Sequence, residues 1–424
     1  YILNGQKMWI TNGGFADVYT VFAKIDNDRV LSAFIVDAET EGISLNPEEK
    51  KMGIKGSSTR QIFLNDVKVP VENLLGKRGE GFRIALNILH VGRVKLGVNV
   101  LGASKLAISN SVNYANERKQ FGQLISSFGA IKYKLAEQVI RTFASESAVY
   151  RCSYDILQAE KGFIASGMEK TKATIEAIAT FAIEAAILKI FGSESLDYVV
   201  DEMVQVYGGM GFSAETDADK AYRDSRINRI FEGTNEINRL VIIDTTLKKA
   251  MRNELNIFEN AKNILDNIDN LSALPGKLPY FEEKHKIVDN LRKISNLMLG
   301  LVYEKLKKEF VSEQEITMNI ADVIVQLYVS DSLLLRVEKA EQNGLAMHSE
   351  LYRDILDVFL FDASARIRKL ATDAACSFLE AEDLSKVLTA IEVLSKTPAV
   401  NVRNARRRLA EYLIDKNRYC FPTF

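Results

Sequence analysis

Arg226-Ile227-Asn228-Arg229-Ile230-Phe231-Glu232-Gly233-Thr234-Asn235-Glu236-Ile237 is the stretch whose residue types and spacing point most directly to chemistry. Gly233 permits an unusual backbone turn, and Thr234 is a good N-cap for a helix that follows it. Glu232 then stands just ahead of a helix N-terminus, whose partial positive charge favours an ionised carboxylate. A carboxylate held between an aromatic residue and a glycine, with arginines nearby, suits a general base. The same residues equally describe an ordinary acid at a helix start, paired with an arginine in a salt bridge. The local pattern leaves both readings open.

Three further motifs are less specific when taken singly. Lys7-Met8-Trp9-Ile10-Thr11-Asn12-Gly13-Gly14 holds the only tryptophan of the chain, and an amphipathic tryptophan near a turn is usually core. Glu117-Arg118-Lys119-Gln120-Phe121-Gly122 reads as a charged helix end followed by glycine. Gln205-Val206-Tyr207-Gly208-Gly209-Met210-Gly211-Phe212 is rich in glycine, but no strand–helix–strand unit surrounds it, so a dinucleotide-loop reading is weak. The three histidines (His90, His285, His348) and three cysteines (Cys152, Cys376, Cys420) lie far apart, with no CxxC or ligand spacing. That argues against a metal site or a disulfide framework and for reduced intracellular thiols.

Taken together and in this order, the motifs resemble the acyl-CoA dehydrogenase family over residues 1 to about 250. Lys51–Arg60, Asp66–Pro70 and Gly79–Phe82 agree with it in order and spacing. The resemblance implies that Glu232 removes the α-proton of an acyl-CoA thioester while the β-hydrogen leaves as hydride to the N5 atom of FAD. Some relatives place the base on the helix containing His90-Val91-Gly92-Arg93, immediately before the arginine. Gly92 cannot serve there, which leaves Glu232. By the same resemblance Trp9 packs against the isoalloxazine ring and Thr11 hydrogen-bonds its edge. Arg118 reaches the FAD pyrophosphate of a neighbouring subunit, which implies a homodimer with shared FAD sites. Gln205, Gly208 and Gly209 let FAD approach closely, and Thr234 and Glu236 line the cofactor. Phe231, Gly233 and Arg93 fall on the substrate side, Arg93 near the CoA moiety. His90 departs from the acidic or amide residue expected there.

The fold class implied is α+β and acyl-CoA dehydrogenase-like. It comprises a small antiparallel β module (1-75), a flavin- and substrate-binding helical bundle (76-253), and an additional C-terminal all-α domain (254-424). That extra domain and the small Gly92 resemble the very-long-chain members, which act on long-chain acyl-CoA and pass electrons to an electron-transfer flavoprotein. An acyl-CoA oxidase using oxygen, or a catalytically silent assembly relative, fits the same residues. The chain opens on Tyr1 without a methionine, and is expected to be the C-terminal two-thirds of a longer protein. The family setting would be cytoplasmic in a bacterium and mitochondrial in a eukaryote.

These groups need elements to position them. Val18–Phe22, Val30–Val36 and Gln61–Leu64 are short β-prone runs separated by turn signals such as Asn12-Gly13-Gly14 and Asn27-Asp28. Helices are expected at 80–118, 128–161, 166–191, 195–206 and 234–253, with punctuation at Gly122, Gly162, Gly192 and Gly208-Gly209. Apolar residues surround much of the helix from Ala173 to Ile190, which suggests an interior helix. A polar stretch at 254–286, containing Leu274-Pro275-Gly276, marks a boundary, and a second helical region follows to about 418.

A net charge of −1 implies no general attraction to nucleic acid or anionic membrane, and no uninterrupted apolar run reaches the ~18 residues of a membrane span. Val402 to Arg418 carries Arg403, Arg406, Arg407, Arg408, Lys416 and Arg418 against Glu411 and Asp415. It reads as a solvated helix face or as a peripheral membrane contact.

Overall fold

The computed structural model describes residues 1–272, 276–343 and 349–422 and divides into two compact units, Tyr1–Gly92 and Arg93–Phe424. Leu274 and Pro275 of the expected boundary, and His348, lie outside the described residues.

The first unit is an antiparallel β module. Strands β1 (Ile2–Thr11), β5 (Thr59–Lys68) and β4 (Ile43–Leu45) form one sheet, in that order. Strands β2 (Val18–Ala23), β3 (Ser32–Asp37) and β6 (Leu74–Leu75) form the other. The alternation of side chains along each strand sends Leu3, Tyr19, Val21, Phe34, Val36, Ile62 and Leu64 into one shared core. The β1–β5 register shifts between Lys7 and Ile10, so β1 carries an extra residue there. Trp9 sits in this bulge with φ 60°.

Helix α1 (Gly81–Glu117) begins in the first unit and continues into the second. A hairpin of β7 (Lys119–Gln120) and β8 (Gln123–Leu124) turns at Phe121-Gly122. Then come α2 (Gly129–Ala165), α3 (Lys170–Thr180), α4 (Ala182–Tyr207), α5 (Gly209–Phe212), α6 (Asp217–Ser225) and α7 (Asn235–Met251). Beyond residue 254 lie α8 (Ile257–Asp266), α9 (Tyr280–Leu306), α10 (Gln314–Gln342), α11 (Ser349–Phe378), α12 (Ala381–Leu394) and α13 (Val402–Lys416). One continuous hydrophobic core runs from Leu96 to Phe421, so the helices after residue 254 share it with those before.

Two sequence expectations need correction. The break expected at Gly192 falls instead at Phe181, between α3 and α4, and Gly192 lies inside α4. A Cβ on Gly192 would meet Val100 Cγ2 at 2.9 Å, so this glycine allows α1 and α4 to approach rather than ending a helix. Gly162 likewise lies inside α2. The interior helix is α4, almost wholly buried from Ala182 to Gly192, whereas α3 buries only Ala173 and Ala177.

Among the described residues α1 is long and apolar enough to cross a membrane by length and composition, with a mean hydropathy of 1.3 over its best window. Its Leu96, Val100, Leu101, Ile108 and Val112 belong to the core of the second unit, while Phe82, Ile88, Val98 and Leu106 are exposed and only 28% of that window is buried. The basic run of α13 is partly spent inside the protein. Arg406 pairs with Glu137 at 2.7 Å and Asp362 at 2.8 Å, and Arg408 pairs with Asp354 and Glu350. Arg403, Arg407, Lys416 and Arg418 remain exposed.

Candidate active site

Helix α6 runs into a short 3-10 turn, Arg226–Arg229, which Arg229 ties to α4 through Asp197 at 3.0 Å. The chain then makes the turn that leads into α7. Glu232 (φ 58°) and Gly233 (φ 80°) are consecutive left-handed residues. Glycine adopts this conformation freely, whereas a glutamate does so at a cost of about 1–2 kcal/mol. Such strain persists only where the surroundings fix it, and it gathers at functional sites.

The surroundings here are specific. Arg93 Nε donates to the main-chain oxygen of Glu232 at 3.2 Å. Asn238 Nδ2 donates to the carbonyls of Gly233 (2.8 Å) and Thr234 (3.0 Å). Thr234 Oγ1 accepts from Ile237 N at 3.3 Å, the N-cap that the sequence suggested. Each contact holds backbone, and among the described residues the Glu232 carboxylate makes no hydrogen bond or ion pair.

Burial raises the pKa of the half-buried Glu232 above its ordinary value, opposed by the positive charges of Arg93 and then Lys189. Arg93 is 2% exposed, its Nη1 has no partner among the described residues, and burial lowers its pKa against the pull of Glu232. Lys189 is fully buried on α4, and burial brings its pKa down to about 8. The arrangement is a desolvated carboxylate with two buried cations around it, held by its backbone and free at its side chain. It can accept a proton from a weak carbon acid that enters beside it.

The other predicted residues fall in distinct places. In the first unit Trp9 is 60% exposed on its bulge and Thr11 is exposed at the end of β1, so the expectation of a core tryptophan fails. In the second unit Arg118 is exposed just past the end of α1, beside the exposed Phe121. Gln205, Gly208 and Gly209 are exposed where α4 ends, with Gly208 at φ 60° as its C-cap. Cβ atoms built on Gly208 and Gly209 would meet nothing within 4 Å. Phe231 is exposed and Gly233 half-buried. The Glu236 carboxylate turns back to its own backbone N–H and to Thr234, which lowers its pKa.

Lys189, Asn235 and Asn238 were not singled out in the sequence. A lysine in an apolar run and two asparagines at a helix start carry no local signal for a site. A cavity of about 460 Å³ lies among α1, α4 and α6, lined by Asn99, Ala103, Leu106, Met203, Lys220 and Asn228 among others, and none of the predicted site residues lines it.

A family model described as the acyl-CoA dehydrogenase middle domain matches residues 1–67. Two models described as acyl-CoA dehydrogenase C-terminal domains match residues 79–247 and 290–392. A Bacillus subtilis (strain 168) protein named as a probable acyl-CoA dehydrogenase is 42% identical over 422 residues, 99% of this chain and 70% of its own length. The mitochondrial very long-chain specific acyl-CoA dehydrogenase of Rattus norvegicus is 36% identical over 397 residues, 87% of this chain. A crystal structure of an acyl-CoA dehydrogenase complexed with FAD from Bacillus anthracis matches with a TM-score of 0.94 at 42% identity, covering 99% of this chain and 71% of that one. This chain spans 57% of the rat protein's length, less than two thirds.

Proposed function

The chain belongs to the acyl-CoA dehydrogenase family of oxidoreductases, and from that premise we propose that it converts long-chain acyl-CoA to trans-2-enoyl-CoA with FAD, Glu232 being the base. The observation that carries this reading is Glu232 itself. A strained, half-buried carboxylate is held by its backbone and, among the described residues, unpaired at its side chain.

An α-proton of a thioester is far less acidic than a carboxylic acid. A base with a raised pKa narrows that gap, and a positioned base is typically worth about 10²–10⁴-fold in rate. Arg93, buried and with one N–H group unpartnered, fits a donor toward the CoA side of the substrate.

The residues fit a flavin nucleotide. The bare backbone of Gly208 and Gly209 faces open space that side chains would fill. Trp9 holds an exposed aromatic face, and Thr11 and Gln205 are exposed polar groups. FAD, when bound, supplies the acceptor for the β-hydrogen. Arg118 would meet a phosphate in a partner copy, and the exposed aromatic rings of Phe121 (91% exposed), three residues further on, and of Phe212 (89% exposed), just past α4, support an interface with a second copy of this chain.

The long-chain preference and the electron-transfer flavoprotein as acceptor extend the same reading. The long-chain preference is supported by the match to the rat very long-chain protein and by the second C-terminal-domain match, which lies in the helices beyond residue 254, whereas the electron-transfer flavoprotein is carried by the family resemblance alone. On this reading the chain divides into a β module (1-75), a flavin and substrate bundle (76-253) and an additional helical part (254-424). The setting is cytoplasmic in a bacterium or mitochondrial in a eukaryote, with any peripheral membrane contact made through the exposed arginines of α13.

The test is an absorbance spectrum with added FAD, followed by anaerobic palmitoyl-CoA. A flavin band that bleaches in the wild type and persists in Glu232→Gln supports the reading, and equal bleaching in both overturns Glu232 as the base.

A further inference from the structure

A chain of polar and charged side chains connects the Glu232 turn to the helices beyond residue 254. Asn235, the first residue of α7, is 3% exposed. Its side-chain oxygen accepts from Lys189 Nζ and from Ser193 Oγ (3.3 Å), both on α4. Its Nδ2 donates to Glu194 Oε1 at 3.1 Å. The same Glu194 oxygen accepts from Arg239 Nη2 at 2.7 Å, and Arg239 Nε donates to Asp322 Oδ1 at 2.7 Å. Asn235 and Arg239 are four residues apart, and so lie on one face of α7. Asp322 belongs to α10, more than eighty residues further along the chain.

Buried charges are costly unless they are paired and hydrogen-bonded. Lys189 is wholly buried with an amide oxygen as its hydrogen-bond acceptor, and Arg239 is 8% exposed with a carboxylate on each side. A buried network of charge-assisted hydrogen bonds of this kind admits few alternative arrangements, so it fixes the elements it joins.

We propose that Asp322 is a positioning residue for the base: by holding Arg239, and through it Glu194 and Asn235, it fixes the first turn of α7 and so the left-handed Glu232–Gly233 pair. The helices beyond residue 254 thereby complete the active site without touching substrate. This rests on Glu232 acting as the base. Without the Asp322 carboxylate, Glu194 is the one acidic partner left to Arg239 among the described residues and is drawn toward it, away from Asn235 Nδ2. The first turn of α7 loosens, and the strain stored at Glu232 gives the turn a reason to relax.

The test is Asp322→Asn, which keeps shape and removes charge. Hydrogen–deuterium exchange of the whole chain is expected to rise by about tenfold or more across residues 230–240 and to stay unchanged across α13. With FAD and palmitoyl-CoA, kcat is expected to fall about 10- to 100-fold while KM and bound flavin hold. Asp322→Glu, which restores a carboxylate, should recover part of both. If Asp322→Asn does not fold, Arg239→Lys, which keeps the charge but loses the fork, is read in the same way.

Wild-type exchange over 230–240 together with wild-type kcat overturns the proposal even if the melting temperature drops, since the pair is then only a packing contact between α7 and α10. Glu232→Gln run alongside separates the two ideas. If it keeps turnover, the reading of the base fails, while the exchange data still decide whether Asp322 holds the turn.

Discussion

Arg93 grips Glu232 by the backbone, its Nε donating to the glutamate's main-chain oxygen at 3.2 Å while the carboxylate has no ion pair among the described residues. A cation placed this way does two things at once. It holds a strained turn, and its charge keeps the carboxylate from climbing as far in pKa as burial alone would take it.

Replacing Arg93 should therefore uncouple the two effects. Arg93→Lys retains the charge but loses the Nε donor, leaving the half-buried Glu232 carbonyl with the longer contact from Asn238 Nδ2 at 3.4 Å. The expected cost is about 1–3 kcal/mol of unfolding free energy, read from urea titration. Arg93→Gln removes the charge as well, so the Glu232 pKa rises further. Because the base must be ionised, the acid limb of the pH–rate profile should move to higher pH in Arg93→Gln. An unmoved limb would show that the two groups do not sense each other.

Glu232 should also be a residue that the fold tolerates rather than favours. Its folded pKa lies above the ordinary 4.5, so the folded state binds the proton more tightly than the unfolded chain. The wild type then loses stability as pH rises from the ordinary value through the raised one. Glu232→Gln lacks that loss, and its melting temperature should gain on wild type across this window, with a constant gap below it. Glu232→Gly removes the left-handed strain too and should add about 1 kcal/mol more, with no activity. Equal stability of the Gln and Gly variants at neutral pH would mean that φ 58° costs the glutamate nothing.

Much of the turn was legible because its chemistry is local. A glycine after the acid and a threonine cap before the helix describe their own geometry, and the structure shows both. The groups that hold the turn come from elsewhere in the chain. Lys189 is one residue in a run of apolar neighbours, and only its burial opposite Asn235 gives it a role. Trp9 was singled out by its motif, but the bulge that exposes it was hidden for a related reason, since a bulge depends on strand register, and register depends on the partner strand.

Glycines illustrate the same limit and permit a direct check. Gly162 and Gly192 both read as punctuation, yet both lie inside helices. Around Gly162 a Cβ would meet nothing, so Gly162→Ala should stabilise by about 1 kcal/mol through helix propensity alone. At Gly192 the same methyl group would press on Val100, and Gly192→Ala should cost about 1–3 kcal/mol by overpacking. Thermal unfolding of the two variants should thus shift in opposite directions. Shifts of the same sign would show that α1 and α4 can move apart without penalty.

The arginines of α13 are alike in sequence and should differ widely in effect. Arg406 is 9% exposed, bonded to Glu137 on α2 and to Asp362 on α11, and also lies over the Tyr133 ring. Arg406→Ala leaves Glu137, itself 5% exposed, with Arg141 at 3.6 Å as its remaining cation. Breaking a buried pair from one side typically costs about 3–5 kcal/mol, so this variant should unfold at a clearly lower urea concentration. Arg403 is exposed and, among the described residues, hydrogen-bonds only its neighbour Asn404, so Arg403→Ala should fall within about 0.5 kcal/mol of wild type. If the exposed set has a surface role, Arg403→Ala combined with Arg407→Ala should lower sedimentation with anionic vesicles while leaving unfolding unchanged. Retained vesicle binding in that double variant would assign α13 to the interior alone, with Arg406 as the residue that anchors it to α2.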